Sequence, residues 1–241
     1  MHRLNNSVMK KFSVGYLFLF FASATAFAQQ PSDLPPNSAP FNLSGAQVAT
    51  FDHRYEGVKG FYTFLEDFVP GKVELKKDQV YDNVLINYDA VSDNLIAKSE
   101  KIGGLVTVRK DLIQRFVLKA EDVEYTFEKK TVKGIHVFLL KLTEGNTQFY
   151  CKLSKSIKQT DLGGPYNTSG ANYDEFKQVV TYYFVGMEGS LSELPSNKKG
   201  ILKAFPQLEI ELTQFFKETK IDFNDFRQAQ LLFFFIAQKS P

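Results

Sequence analysis

Few residues of this chain belong to types that do chemistry, and their spacing omits the usual constellations. Beyond His2, the histidines are His53 and His136. Neither stands in a His-Glu-x-x-His run or beside a cysteine pair, whereas a zinc ion needs three or four converging ligands. We therefore expect no metal; His136, entering an apolar run, reads as structural, and His53, between Asp52 and Arg54, as solvated. Asp82, Asp89 and Asp93 invite a calcium reading, but a calcium loop spaces its oxygens as D-x-[DN]-x-[DN]-G-x5-E, a pattern that neither they nor Asp222, Asn224 and Phe226 follow. Turn chemistry accounts for them better, because Asp and Asn side chains accept hydrogen bonds from nearby backbone amides. Gly163, Gly164, Pro165 and Gly170 lack the Gly-Lys-Ser/Thr of a phosphate cradle, and no Gly-x-Ser-x-Gly occurs. The single cysteine, Cys151, can form no internal disulfide, and its strand-like spacing between Phe149 and Leu153 reads as a buried thiol. The expectation is no catalytic residue, no cofactor and no metal ligand. A hydrolase built on carboxylates from distant positions is the least favoured of three functional readings.

The stretch with the strongest surface signal is Leu231 to Ala237, LLFFFIA. Seven consecutive apolar residues cover a whole helix circumference, so part of the helix faces something other than its own core. Docking inside the protein is one reading. The other makes Leu231, Leu232, Phe234 and Phe235 a partner or ligand surface, since large exposed apolar patches mark interaction sites. The run is too short to span a bilayer, which takes about 20 residues.

The elements that must position these residues are mostly strands. From Gly71 to Leu118, period-two alternation puts Val73, Leu75, Val84, Ile86, Tyr88, Val106 and Val108 on one face and Lys72, Glu74, Asn83, Asn87, Thr107 and Arg109 on the other. Turns fall at Lys76–Gln79, Asp89–Asn94 and Gly103-Gly104, and a spacing of roughly ten residues between turns is that of antiparallel sheets. Gly57 to Val69 reads as a first strand, with a short helix as the alternative because Phe61, Phe64, Leu65 and Phe68 also fall at helical spacing. Ile135 to Leu142 and Thr147 to Leu153 are apolar on both faces and predict a central hairpin. Leu162 to Asn172 is a loop, and Lys177 to Val185 the last strand. Beyond Pro195, Leu208, Leu212, Phe215 and Phe216 lie on one helix face opened by Pro206, and Phe226, Ala229, Phe233 and Ile236 on another opened near Asn224 or Asp225. The expected fold is α+β: an antiparallel β meander, sandwich or half-barrel over 47–190, then two or three helices over 191–241 packed on it.

The start carries an address. Lys10 and Lys11, the apolar run Phe12 to Ala22 and the Ala26-Phe27-Ala28 site predict a secretory signal, residues 1–28, cleaved after Ala28. Residues 29–46, rich in Pro, Ser, Asn and Gln, predict a flexible leader. Arg3, Lys10 and Lys11 would leave with the signal and no acidic residue would, turning the formal charge from +2 to −1. No basic stripe then remains to suggest nucleic acid.

The patterns Gly71-Lys72-Val73-x-Leu75, Tyr81-x-Asn83-Val84-x-Ile86-x-Tyr88-Asp89 and Asp93-Asn94-Leu95-Ile96, followed by the helical tail from Phe205 to Ile236, resemble those of uncharacterised secreted β-rich proteins of Bacteroidota-type bacteria. The resemblance implies a Gram-negative envelope, periplasm or exterior, and transfers no functional residue. The leading expectation is a non-enzymatic envelope module that binds or scaffolds another envelope component; the alternative is a carrier of a lipid or other apolar ligand in a half-barrel, suggested by the 24 Phe and 11 Tyr.

Overall fold

Alternating strands and an apolar tail have to share one core, and a computed structural model shows how they do. It describes residues 47–48, 53–99, 103–145, 147–159, 174–186 and 189–240. The expected signal, leader and Leu162–Asn172 loop lie outside these residues. The protein is α+β. Its strands are β1 (Gln47–Val48), β2 (Val69–Leu75), β3 (Val80–Asp89), β4 (Asn94–Ser99), β5 (Gly104–Val108), β6 (Ile113–Ala120), β7 (Val123–Val132), β8 (Ile135–Lys141), β9 (Phe149–Lys158), β10 (Glu175–Val185) and β11 (Leu191–Leu194). Three helices follow: α1 (Lys198–Ala204), α2 (Glu209–Glu218) and α3 (Phe226–Lys239). The strands form one antiparallel sheet in the order β1-β5-β4-β3-β2-β6-β7-β8-β9-β10-β11.

One short connection dictates the sheet's shape. β5 and β6 are separated by β4, β3 and β2 and run in the same direction, because β6 is antiparallel to β2 and β5 to β4. Strands so related in a flat sheet need a crossover of about a dozen residues or more. Here the link is the turn Arg109–Leu112, closed by Leu112 N donating to Arg109 O at 3.1 Å. A hydrogen-bonded turn spans about 7 Å, so the sheet curls until the end of β5 meets the start of β6. The concave side so formed holds the core.

The core face follows the alternation: Val73, Ile86, Tyr88, Val106 and Val108 are buried. Rings then continue across the sheet to the helices. Phe116 and Phe127 stack at 4.8 Å, Phe138 meets Phe116 edge-on at 5.0 Å, and Tyr88 lies 4.8 Å from Phe127. Phe233 of α3 stacks on Phe149 at 4.8 Å and lies 5.0 Å from Tyr182. The hairpin β8–β9 is buried on both faces, with Val137, Leu139, Tyr150 and Tyr183 forming a second, smaller cluster behind it. Pro206 opens a short 3-10 turn leading into α2, and Asp225 caps α3 by accepting from Arg227 N at 2.9 Å.

Four expectations are corrected. Gly57–Val69 is not a strand: after a 3-10 turn at His53–Tyr55 it runs irregularly, bridging only at Lys59 and Thr63. Asn87 does not face water. It is fully buried, because that irregular segment covers the back of β3, and its amide donates to Leu65 O and Asp67 O at 2.8 Å each and accepts from Leu65 N at 3.2 Å. Lys177–Val185 does not end the sheet, since β11 pairs with Tyr182–Val185 and the sheet runs to Leu194. The helical part therefore starts later than residue 191, at α1, which Asn197 caps through Gly200 N at 2.8 Å.

Candidate binding surfaces

Aspartate turns were expected at Asp82, Asp89 and Asp93, and each carboxylate does accept from backbone. Asp82 takes Asn83 N, and Asp89 takes Val91 N and Ser92 N. Asp93 does more. The β8–β9 ladder closes only Leu140↔Cys151 and Lys141↔Tyr150; continued in register, Leu139 would face Lys152 and Phe138 would face Leu153. The strands instead part, and the β3–β4 turn fills the gap. Phe138 N donates to Asp93 Oδ1 at 3.2 Å, Tyr88 OH donates to the same oxygen at 2.8 Å and lies 3.4 Å from Leu153 O, and Lys155 N donates to Ala90 O at 2.9 Å. Lys110 Nζ at 2.9 Å and Lys152 Nζ at 3.6 Å complete the charge pairing of Asp93 Oδ2. Burial and the adjacent Asp93 carboxylate hold the Tyr88 phenol well above its usual pKa, so it stays a donor. Every group here is occupied, which makes the cluster a clasp between two parts of the sheet.

A second clasp borders a cleft. Lys155 Nζ donates to Phe61 O at 2.9 Å and Thr63 O at 2.6 Å, and stands 4.0 Å from the Phe61 ring centroid. Desolvation lowers its pKa to about 8. The cleft beside it measures about 370 Å³ and has a mixed lining, apolar from Phe61, Phe64, Leu65 and Phe226 and polar from Glu66, Gln178, Asn224, Asp225 and Arg227. No feature of the sequence singled out Lys155 or Gln178: an isolated Lys in an alternating strand looks like any solvated one.

The residues expected as a partner surface separate. Leu231 and Phe234 are 60% and 54% exposed, one helical turn apart on the outer face of α3. Leu232 is fully buried, so it belongs to the core: position 232 lies one turn beyond Ala229 and one before Ile236, both on the inner stripe. Phe235 is half-buried and stacks on Phe215 of α2 at 4.9 Å. Phe234 also borders a smaller cleft of about 210 Å³, with Glu144, Gly145 and Thr147 from the β8–β9 turn on its far side. Gln230 fixes that spacing by donating to Leu142 O at 2.9 Å.

The histidines stand apart and exposed, His53 Nδ1 at 3.0 Å from Glu56 Oε1 and His136 Nδ1 at 3.0 Å from Thr131 Oγ1. Cys151 is buried, and burial raises its pKa, leaving an inert thiol. Among the described residues, no three His, Cys, Asp or Glu side chains gather as a metal site would require. No helix among them is long and apolar enough to cross a membrane.

Fold and surfaces together define an α+β protein with an aromatic core on its concave side and, among the described residues, a cleft near each end of its last helix. The chain matches no protein-family model, no curated protein and no solved structure.

Proposed function

We propose that this chain is an exported, non-catalytic module of a bacterial envelope that docks a partner protein through the outer face of α3. The observation that carries this reading is the pair Leu231 and Phe234, two large apolar side chains held largely exposed on a helix whose other face is locked into the core. Such an arrangement keeps the pair from folding inward, and exposed apolar anchors on a rigid element are what protein interfaces use. The predicted secretory signal supports the envelope. The alternative, a carrier of an apolar ligand, draws on the same Phe surplus, of which Phe116, Phe127, Phe138, Phe149 and Phe233 are buried in the core.

The test places a photo-crosslinking amino acid at position 231 or 234 in the producing cell, with position 210 as control. Ile210 is 83% exposed on α2 and lies outside the proposed surface. Positions 231 and 234 are expected to give the same discrete protein adduct, missing from 210. No adduct, or one common to all three positions, overturns the reading.

A further inference from the structure

The sheet has an interruption along the outer edge of β10. In an antiparallel strand, alternate residues send both backbone polar groups to one neighbour and the residues between send theirs to the other. Val185 N donates to Gln148 O, toward β9, so the odd-numbered residues of β10 face β9. Phe176 N donates to Lys59 O, and Gly186 N to Ser190 O at the head of β11, so the even-numbered ones face outward. Lys59 covers that edge at one end through its bridge to Glu175, and β11 covers it from Tyr182 onward. Between them, Gln178 and Val180 direct their N–H and C=O groups at no strand among the described residues. The side chain of Gln178 lines the 370 Å³ cleft, while Val179, pointing to the opposite face, is 50% exposed.

We propose that this gap is a strand-addition site for an extended peptide segment of a partner, which pairs with Gln178 and Val180 and seats one large apolar side chain in the cleft over Phe61, Phe64 and Phe226. Main-chain pairing supplies the attachment and the side-chain pocket the selectivity, as in other edge-binding modules. The occupant is a short segment because the gap, from Phe176 to Tyr182, is about 20 Å long at ~3.4 Å per residue and walled at both ends. A second copy does not fit: aligned antiparallel, its own Lys59 and β11 would collide with those already there. This surface is separate from the outer face of α3 and stands whether or not that face docks a protein.

The probe is a linear random heptapeptide library displayed on phage, panned against the purified chain. The best-enriched peptide is then made in free form and in versions N-methylated at single positions. Binding is expected to protect the Gln178 and Val180 amides from hydrogen exchange at least tenfold. N-methylation is expected to weaken binding at least tenfold at alternate positions only, the signature of a one-sided ladder. Gln178→Pro removes an outward N–H without breaking the β9 ladder, so it keeps the fold and loses the peptide; Phe234→Asp leaves the peptide bound. Four outcomes overturn the proposal: no enriched peptide, enriched peptides that leave both amides unprotected, uniform tolerance of N-methylation, or a wild-type dimer that Gln178→Pro dissolves.

Discussion

Lys155 and Asp93 are charged side chains that act as fasteners, Lys155 on Phe61 O and Thr63 O, Asp93 on Phe138 N and Tyr88 OH. Lys155 carries a folded-state pKa of about 8 against an ordinary value of 10.5. Between those values the unfolded chain binds the extra proton, so the lysine makes unfolding harder as pH rises from about 8. Lys129, lowered mainly by burial, adds in the same direction. The buried Cys151 thiol and the Tyr88, Tyr150 and Tyr182 phenols, all raised by desolvation, act oppositely once pH passes their ordinary values of 9 and 10. Thermal midpoints should therefore rise from pH 7.5 to 9 and fall above 10, and Lys155→Met should flatten the rise. Asp93→Ala strands Phe138 N, Tyr88 OH and two ammonium groups, at a cost of about 3 kcal/mol in urea unfolding. Asp93→Asn keeps one acceptor oxygen and should cost about half as much.

At the level of elements, what alternation and turn residues encode was legible in the sequence: the core faces of β2, β3 and β5, the doubly buried β8–β9 hairpin, the Pro206 and Asp225 helix starts. What depends on a neighbour was not. Asn87 sits at a solvent-facing position of its own strand and is buried only because residues 61–68, distant in sequence, lie across it. β11 is four residues with one buried side chain, too short for a period to register. Leu232 was misplaced for the opposite reason, a run so apolar that the inner stripe has no visible border. Of the candidate surfaces, Leu231 and Phe234 could be read from that run, whereas the cleft at Lys155 joins β9, β10, α3 and the irregular segment and leaves no local trace. Gly71 shows how tightly the elements close: a Cβ there would collide with Val117 O and Ile86 Cδ1. Gly71→Ala is expected to cost about 2 kcal/mol or more, read from its urea midpoint, since the nearest atom is ladder backbone that cannot yield without parting β2 from β6.

Across the whole molecule, sheet and helices share one buried cluster running from Val73 to Ile236, so they are expected to melt as a unit. Far-ultraviolet circular dichroism at helix and strand wavelengths and tyrosine fluorescence should give coincident transitions. Phe233→Ala, which removes the ring touching both Phe149 and Tyr182, should lower stability by about 3–5 kcal/mol and shift all of these signals equally. An early loss of the helical signal alone would show that α3 is an independent appendage. The turn between β3 and β4, lodged where β8 and β9 part, also sets an order of events in time. That turn is complete within the first hundred residues, yet its partners Phe138, Leu153 and Lys155 lie 45 to 65 positions further along the chain. Closing such distant contacts is slow, so the seam is expected to be sewn after the local hairpins β3–β4 and β4–β5, and a chain made only as far as those hairpins would leave it open.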